Sequence, residues 1–378
     1  MVMRQSPRNF LPTLLQRHML RVALGAPEDA DRTWGELRPR FSLDELEPGA
    51  FELLPLVHRA LTDAGVEEPL LPRLRGIYRR AWVRNTLQLD RARRTAAVLE
   101  EAAIPALFLH GAVFADRFYP DLGLRPTSAT HVLIDPERLQ NAVWRALRVG
   151  WGTRVDAPAG PDGRRYLFDD EGSVCVLQPS VEFDFVTTSG ETSGTRLWEC
   201  AERQRIGEGR ADVPSATDSL LVTIVSGART GAVPSIQWIV DAAMIARSSV
   251  VDWSRIVDLA GEYAQVVRVR DALETLRSLD VLETPPDVGA ALSGARPTRR
   301  ERVVYRCTTT PRGRLGAFPE IVAQHLAETT QESMTRTLAT FPSRLRERWR
   351  LDNTWEVPAA AGRRAVRLLT RRRTWTER

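Results

Sequence analysis

The chain has no lysine; its 53 basic residues are all arginine. Chemistry that needs a lysine, such as a P-loop or a Schiff base, is thereby excluded. An arginine-favouring, GC-rich genome is enough to account for the bias. Cysteine is scarce too: Cys175, Cys200 and Cys307 stand alone, without the paired spacing of a disulfide framework or a zinc cluster. The five histidines are scattered and form no HExxH or similar metal motif. No apolar run approaches the roughly 20 residues that cross a bilayer. The opening MVMRQSPRNFLPTLLQRHML has neither an uninterrupted apolar core nor a small-residue cleavage site. It reads as an amphipathic helix rather than a signal peptide, so a cytoplasmic protein without a membrane partner is expected.

What is present is an ordinary globular composition, 43% hydrophobic and 27% charged over 378 residues, long enough for two or three domains. The charge is uneven. Residues 296–378 carry 19 arginines against eight acids, a net of +11 within a chain total of +5, which leaves −6 on residues 1–295. The basic end, RRAVRLLTRRRTWTER, suits either a solvated helix face or an acidic partner such as nucleic acid or an acidic peptide. No aromatic-interleaved RNA motif accompanies it.

Pattern divides the chain into four regions. Residues 1–105 read as helical, with Leu87, Ala92, Ala96 and Leu99 at roughly helical spacing. Residues 106–205 read as a mixed α/β core. Ala106–Leu109 is a buried strand closed by Gly111 at a tight turn, AVFADRFYP is helical, and HVLI is a second strand. Asp135 suits an N-cap and Pro136 a first helical position, opening a helix that ends before Gly150. RRYLFDD and SVCVLQ are strands around a turn at Glu171 and Gly172, and VEFDFVTT alternates as a further strand. Residues 206–290 are helical, opened by the capping pattern SATD and bounded by PPDV at 285–288. Residues 291–378 form the basic region. The fold class expected is α+β, a small mixed sheet flanked by helical regions.

FLHG (108–111), YPDLGLRP (119–126), VLIDPERL (132–139), ALRVGW (146–151), VEFDF (181–185), IQWIVDAAMI (236–245) and VDWSRIVDLA (251–260) occur in that order. The order resembles that of bacterial nucleotidyltransferase-like proteins of the DNA-polymerase-β-like superfamily, over about residues 15–285. The resemblance implies a Leu-Lys-Gly turn, an Arg-Pro pair, an Asp-x-Asp strand, a Glu-x-His strand and a Trp-x-x-Asp helix. In such enzymes the two aspartates and a third acid on a neighbouring strand hold divalent metal ions that neutralise a triphosphate.

The departures fall on that chemistry. Ala129 and His131 stand at the Asp-x-Asp positions, His110 at the lysine position, and the Glu-x-His strand reads Glu182-x-Asp184. Three readings stay open: a dead metal site, a rebuilt one in which His131, Glu182 and Asp184 hold a single metal, or a hydrogen-bonded remnant. The rebuilt ligand mix suits zinc, manganese or iron better than magnesium. The catalytic candidates are His131, Glu182 and Asp184. His110, Gly111 and Arg125 are the nucleotide or substrate candidates, with Arg125 either touching phosphate or bracing its loop. The favoured expectation is a binding or accessory protein without a cofactor, its ligand a peptide or small-molecule intermediate of peptide natural-product biosynthesis. The alternative is an active transferase using a divalent metal and a nucleoside triphosphate. Trp238 and Trp253 are expected in the core.

Overall fold

The structure, a computed structural model, describes residues 10–47, 49–153, 163–179, 193–228, 236–309, 318–329, 333–349 and 351–370. The N-terminal helices are α1 (Leu14–Leu24), α2 (Ala30–Leu37), α3 (Leu54–Asp63) and the long α4 (Leu71–Glu101). The core follows as β1 (Ala106–His110), α5 (Ala112–Phe118), β2 (Ala129–Ile134), α6 (Leu139–Leu147), β3 (Arg165–Phe168), β4 (Val174–Gln178), α7 (Ser193–Glu199), β5 (Glu202–Ile206) and β6 (Gly209–Val213). Helices α8 (Ala216–Gly227), α9 (Gln237–Ser248), α10 (Trp253–Glu262), α11 (Val266–Ser278) and α12 (Pro286–Gly294) come next. The chain continues through α13 (Arg299–Thr309), α14 (Phe318–Glu328), α15 (Met334–Trp349) and α16 (Val357–Thr370).

The six strands form one mixed sheet in the order β3-β4-β2-β1-β6-β5. β2 lies antiparallel to β1 and parallel to β4. Strand alternation sends Phe108, Val132, Ile134, Cys175 and Leu177 to one face, where Ala92, Ala96 and Leu99 of α4 and Leu139, Ala142 and Val143 of α6 cover them. Leu107, Leu109 and Leu133 face the other way, into a larger core shared with α1, α3, α5 and α8–α11. Every residue of α8 from Ala216 to Val225 is buried, the all-round burial expected of a central helix. Its one acid, Asp218, is paired with Arg255 at 2.9 Å, as a charge in that setting requires.

Four details differ from the pattern reading or go beyond it. The sheet runs to Val213 rather than ending near 205, because the hairpin β5–β6 docks its second strand beside β1. Helix α6 starts at Leu139, not Pro136: Asp135 accepts from the amide of Glu137 at 2.8 Å, so its side chain closes a turn before the helix. The segment from Trp253 onward is two helices, broken where Ala264 adopts a left-handed φ of 53°. The composition break at 285–288 opens α12 without interrupting packing, since Val288, Leu292, Val304, Ala323 and Leu326 bury in the same core as α8–α11. The strand expected over VEFDFVTT lies outside the described residues.

Candidate functional site

Gly111 fixes the geometry at the end of β1. Its φ is 104°, and a Cβ there would lie 2.8 Å from the Cα of Thr130 and 2.9 Å from the carbonyl oxygen of Ala129. Only glycine allows this turn to press on β2. β1 kinks between Phe108 and His110, which brings His110 opposite His131. The two imidazoles meet edge to face with centroids 6.1 Å apart, and Phe114 of α5 sits 5.6 Å from His110.

On β2, Ala129 and His131 are half-buried and alternate with buried Thr130 and Val132. Beside them in parallel runs β4, with Ala129 paired to Val174 and His131 to Val176. Paired residues of neighbouring strands project to the same side, so Val174, Val176 and Gln178 share the face of Ala129 and His131. His131 makes a hydrogen bond there: Nδ1 donates to the side-chain oxygen of Gln178 at 3.1 Å. Among the described residues this face brings together two histidines, two valines, a glutamine and an alanine. No described group of three His, Cys, Asp or Glu side chains is placed to hold a metal ion. Glu182 and Asp184 lie outside the described residues.

Arg125 is buried and ion-paired. Its Nε and Nη2 each donate to a carboxylate oxygen of Asp241 at 2.8 Å, and its guanidinium lies 4.8 Å from the centre of the Phe114 ring. Tyr119 donates to the same carboxylate, and Gln237 donates both to the Tyr119 hydroxyl at 2.9 Å and to Asp241 at 3.1 Å. Burial works against a charged Asp241, but the charge and hydrogen bonds of Arg125, with those of Tyr119 and Gln237, hold its pKa below the usual carboxylate range. Burial and the neighbouring Asp241 carboxylate push the Tyr119 phenol well up. Arg125 therefore braces its loop to α9.

The same loop is held from its other side by α4. Asn85 donates to the carbonyls of Leu122 at 2.6 Å and Arg125 at 2.7 Å, and Tyr78 donates to Asp121 at 2.8 Å. Close approach of the Tyr78 ring requires Gly123, where a Cβ would come within 2.5 Å of it. Sequence reasoning met Asp241 only as the end of the Trp-x-x-Asp pattern, without a role, and missed Asn85, Tyr119 and Gln237. The available signals were a lone acid inside the apolar IQWIVDAAMIA and a buried polar residue on the face of α4. Trp238 is in the core, 4% exposed and edge-on to Phe10.

A mixed sheet whose first strand turns through glycine into a short helix, and whose second strand presents alternate positions beside that turn, is a nucleotidyltransferase-type core. The model of a family described as uncharacterised nucleotidyltransferase matches residues 50–279, more than half of the chain, and the chain belongs to that family. The comparison with curated proteins gave no match. The Arg-Pro and Trp-x-x-Asp motifs are one structural unit here, since Arg125 grips Asp241 three residues after Trp238.

Proposed function

We propose that this chain is a nucleotidyltransferase-fold protein that has given up metal-dependent transfer and acts as a binding or accessory component. The observation carrying this reading is the side-chain set beside the glycine turn. Where two magnesium ions would need several hard oxygen ligands, the described positions offer Ala129, His131, Val174, Val176 and Gln178. An imidazole hydrogen-bonded to a glutamine, in either protonation state, cannot supply the negative charge that offsets a triphosphate metal complex. From the family resemblance, the ligand is a peptide or small-molecule intermediate of peptide natural-product biosynthesis, and the protein works in the cytoplasm.

The test is to restore carboxylates at the half-buried positions. The variant Ala129→Asp, His131→Asp, Val174→Asp places three acids on adjacent strands, and repulsion between them should lower its melting temperature when no metal is present. Magnesium with a nucleoside triphosphate should then raise the melting temperature of the variant and leave the parent unchanged. An equal rise in the parent would overturn the proposal and return the chemistry to His131, Glu182 and Asp184.

A further inference from the structure

We infer that the groove between α4, the segment around Leu43 and Phe51, and the loop before β2 is a docking site for an extended acidic peptide. It deepens the binding reading above, and its test is separate because it reads the groove and not the metal positions. The groove encloses about 690 Å³, within the size range of ligand clefts.

Its cationic side is set by helical geometry. Arg73, Arg80 and Arg84 all line the groove. At 100° per residue they lie within about 40° of one another on α4, and at 1.5 Å per residue they span roughly 16 Å. That length matches about five residues of extended chain. Between Leu71 and Leu89, α4 carries five arginines and no acid. Among the described residues Asp44 is the one carboxylate lining the groove, and it is already paired with Arg73 at 2.7 Å. Arg84 donates to the carbonyl of Gly172 at 3.2 Å, a neutral acceptor, and enters no ion pair among the described residues. Arg80 is exposed and enters no ion pair among the described residues.

Between these charges the lining is apolar. Ile77 projects from α4 between Arg73 and Arg80, Leu43 and Pro126 complete the floor, and Phe51 stands at the rim, 52% exposed. A chain that alternates carboxylate and aliphatic side chains complements this alternation of guanidinium and hydrocarbon. A nucleic-acid backbone would use the arginines but leave Leu43, Ile77 and Pro126 without partners. Pro126 and Thr127 lead directly into β2, so a peptide seated here reaches the end of that strand, where Ala129 lies.

The experiment is fluorescence anisotropy with a labelled hexapeptide alternating glutamate and leucine, against a lysine–leucine hexapeptide and a labelled single-stranded DNA hexamer. The parent should bind the glutamate peptide and not the lysine peptide. Arg80→Glu should weaken that binding about tenfold or more, because it replaces a charge-assisted contact by repulsion. Arg79→Glu makes the same charge change one residue away and outside the groove, so it should shift affinity less than about threefold. Failure of the parent to bind the glutamate peptide would overturn the proposal, as would equal losses in the two variants. Tighter binding of the DNA hexamer, also lost in Arg80→Glu, would replace the peptide by a nucleic acid.

Discussion

Arg125→Met tests whether the geometry of the loop before β2 comes from an internal ion pair. The substitution keeps an apolar stem against Phe114 and leaves the Asp241 carboxylate buried with only Tyr119 and Gln237. Breaking a buried pair by removing one partner costs about 3–5 kcal/mol, chiefly from the stranded charge. At roughly 2–4 °C per kcal/mol for a protein of this class, the melting temperature should fall by about 10 °C. The double variant Arg125→Met, Asp241→Leu strands no charge, and Tyr119 and Gln237 still bond each other, so it should recover more than half of the loss. The pH dependence follows from the lowered pKa of Asp241. A carboxylate whose folded pKa is depressed contributes stability above its unfolded pKa, near 4, and loses it as pH falls through the folded value. In Arg125→Met, protonation relieves the stranded charge. The gap between parent and variant should therefore narrow as pH falls from 7. It narrows first as the stranded carboxylate of the variant protonates above about pH 4, and then as the parent loses its ion pair below it. Circular-dichroism melts at pH 7 and in acid read all of this. A single variant melting within about 2 °C of the parent, or a double variant no better than the single, would refute the reasoning. It would also free Arg125 for phosphate contact.

Gly111→Ala should destabilise by at least about 2 kcal/mol in urea unfolding, since a side chain is strained at φ 104° and its Cβ would meet the backbone of β2; an unchanged midpoint would contradict the close approach. Burial raises the pKa of Glu301, whose carboxylate accepts from the amide of Val267 at 2.9 Å, against the lowering effect of that bond. A raised carboxyl pKa favours the fold below the unfolded value and is lost as pH rises through the folded one, so Glu301→Gln should melt no lower than the parent at pH 7 and lose that relative advantage in acid.

The parts of the fold legible in the sequence are those where burial writes its own period. β1, β2 and β4 are short apolar runs bounded by glycine, proline or polar turns, and α8 and α9 are mostly apolar stretches buried nearly all round. The hairpin β5–β6 was not legible, because ERQRIGEGRADV buries only Ile206, Ala211 and Val213 and leaves Glu202, Arg203 and Arg205 in solvent. Its strands exist through backbone pairing beside β1, which leaves no hydrophobic alternation to read. The break at Ala264 lacks a glycine or proline and follows from how α10 and α11 pack. At the site, Ala129 and His131 were readable as alternate residues of one strand. Their neighbours were not: two successive segments, SVCVLQ and VEFDF, each had the pattern to lie beside β2, and pattern does not say which one pairs. The partners of His131 and Arg125 are therefore tertiary facts. Gln178 and Asp241 lie 47 and 116 residues from them in the chain.

The proposal that β2 no longer supports metal-dependent nucleotide binding is tested most directly by titration calorimetry of the unmodified protein. Magnesium, or manganese, is added with a non-hydrolysable nucleoside triphosphate, and each is also titrated alone. The side chains at positions 129, 131, 174, 176 and 178 lead to the expectation of no saturable heat that requires both metal and nucleotide. A saturable, metal-dependent signal with a dissociation constant in the micromolar range, about −8 kcal/mol, would contradict it.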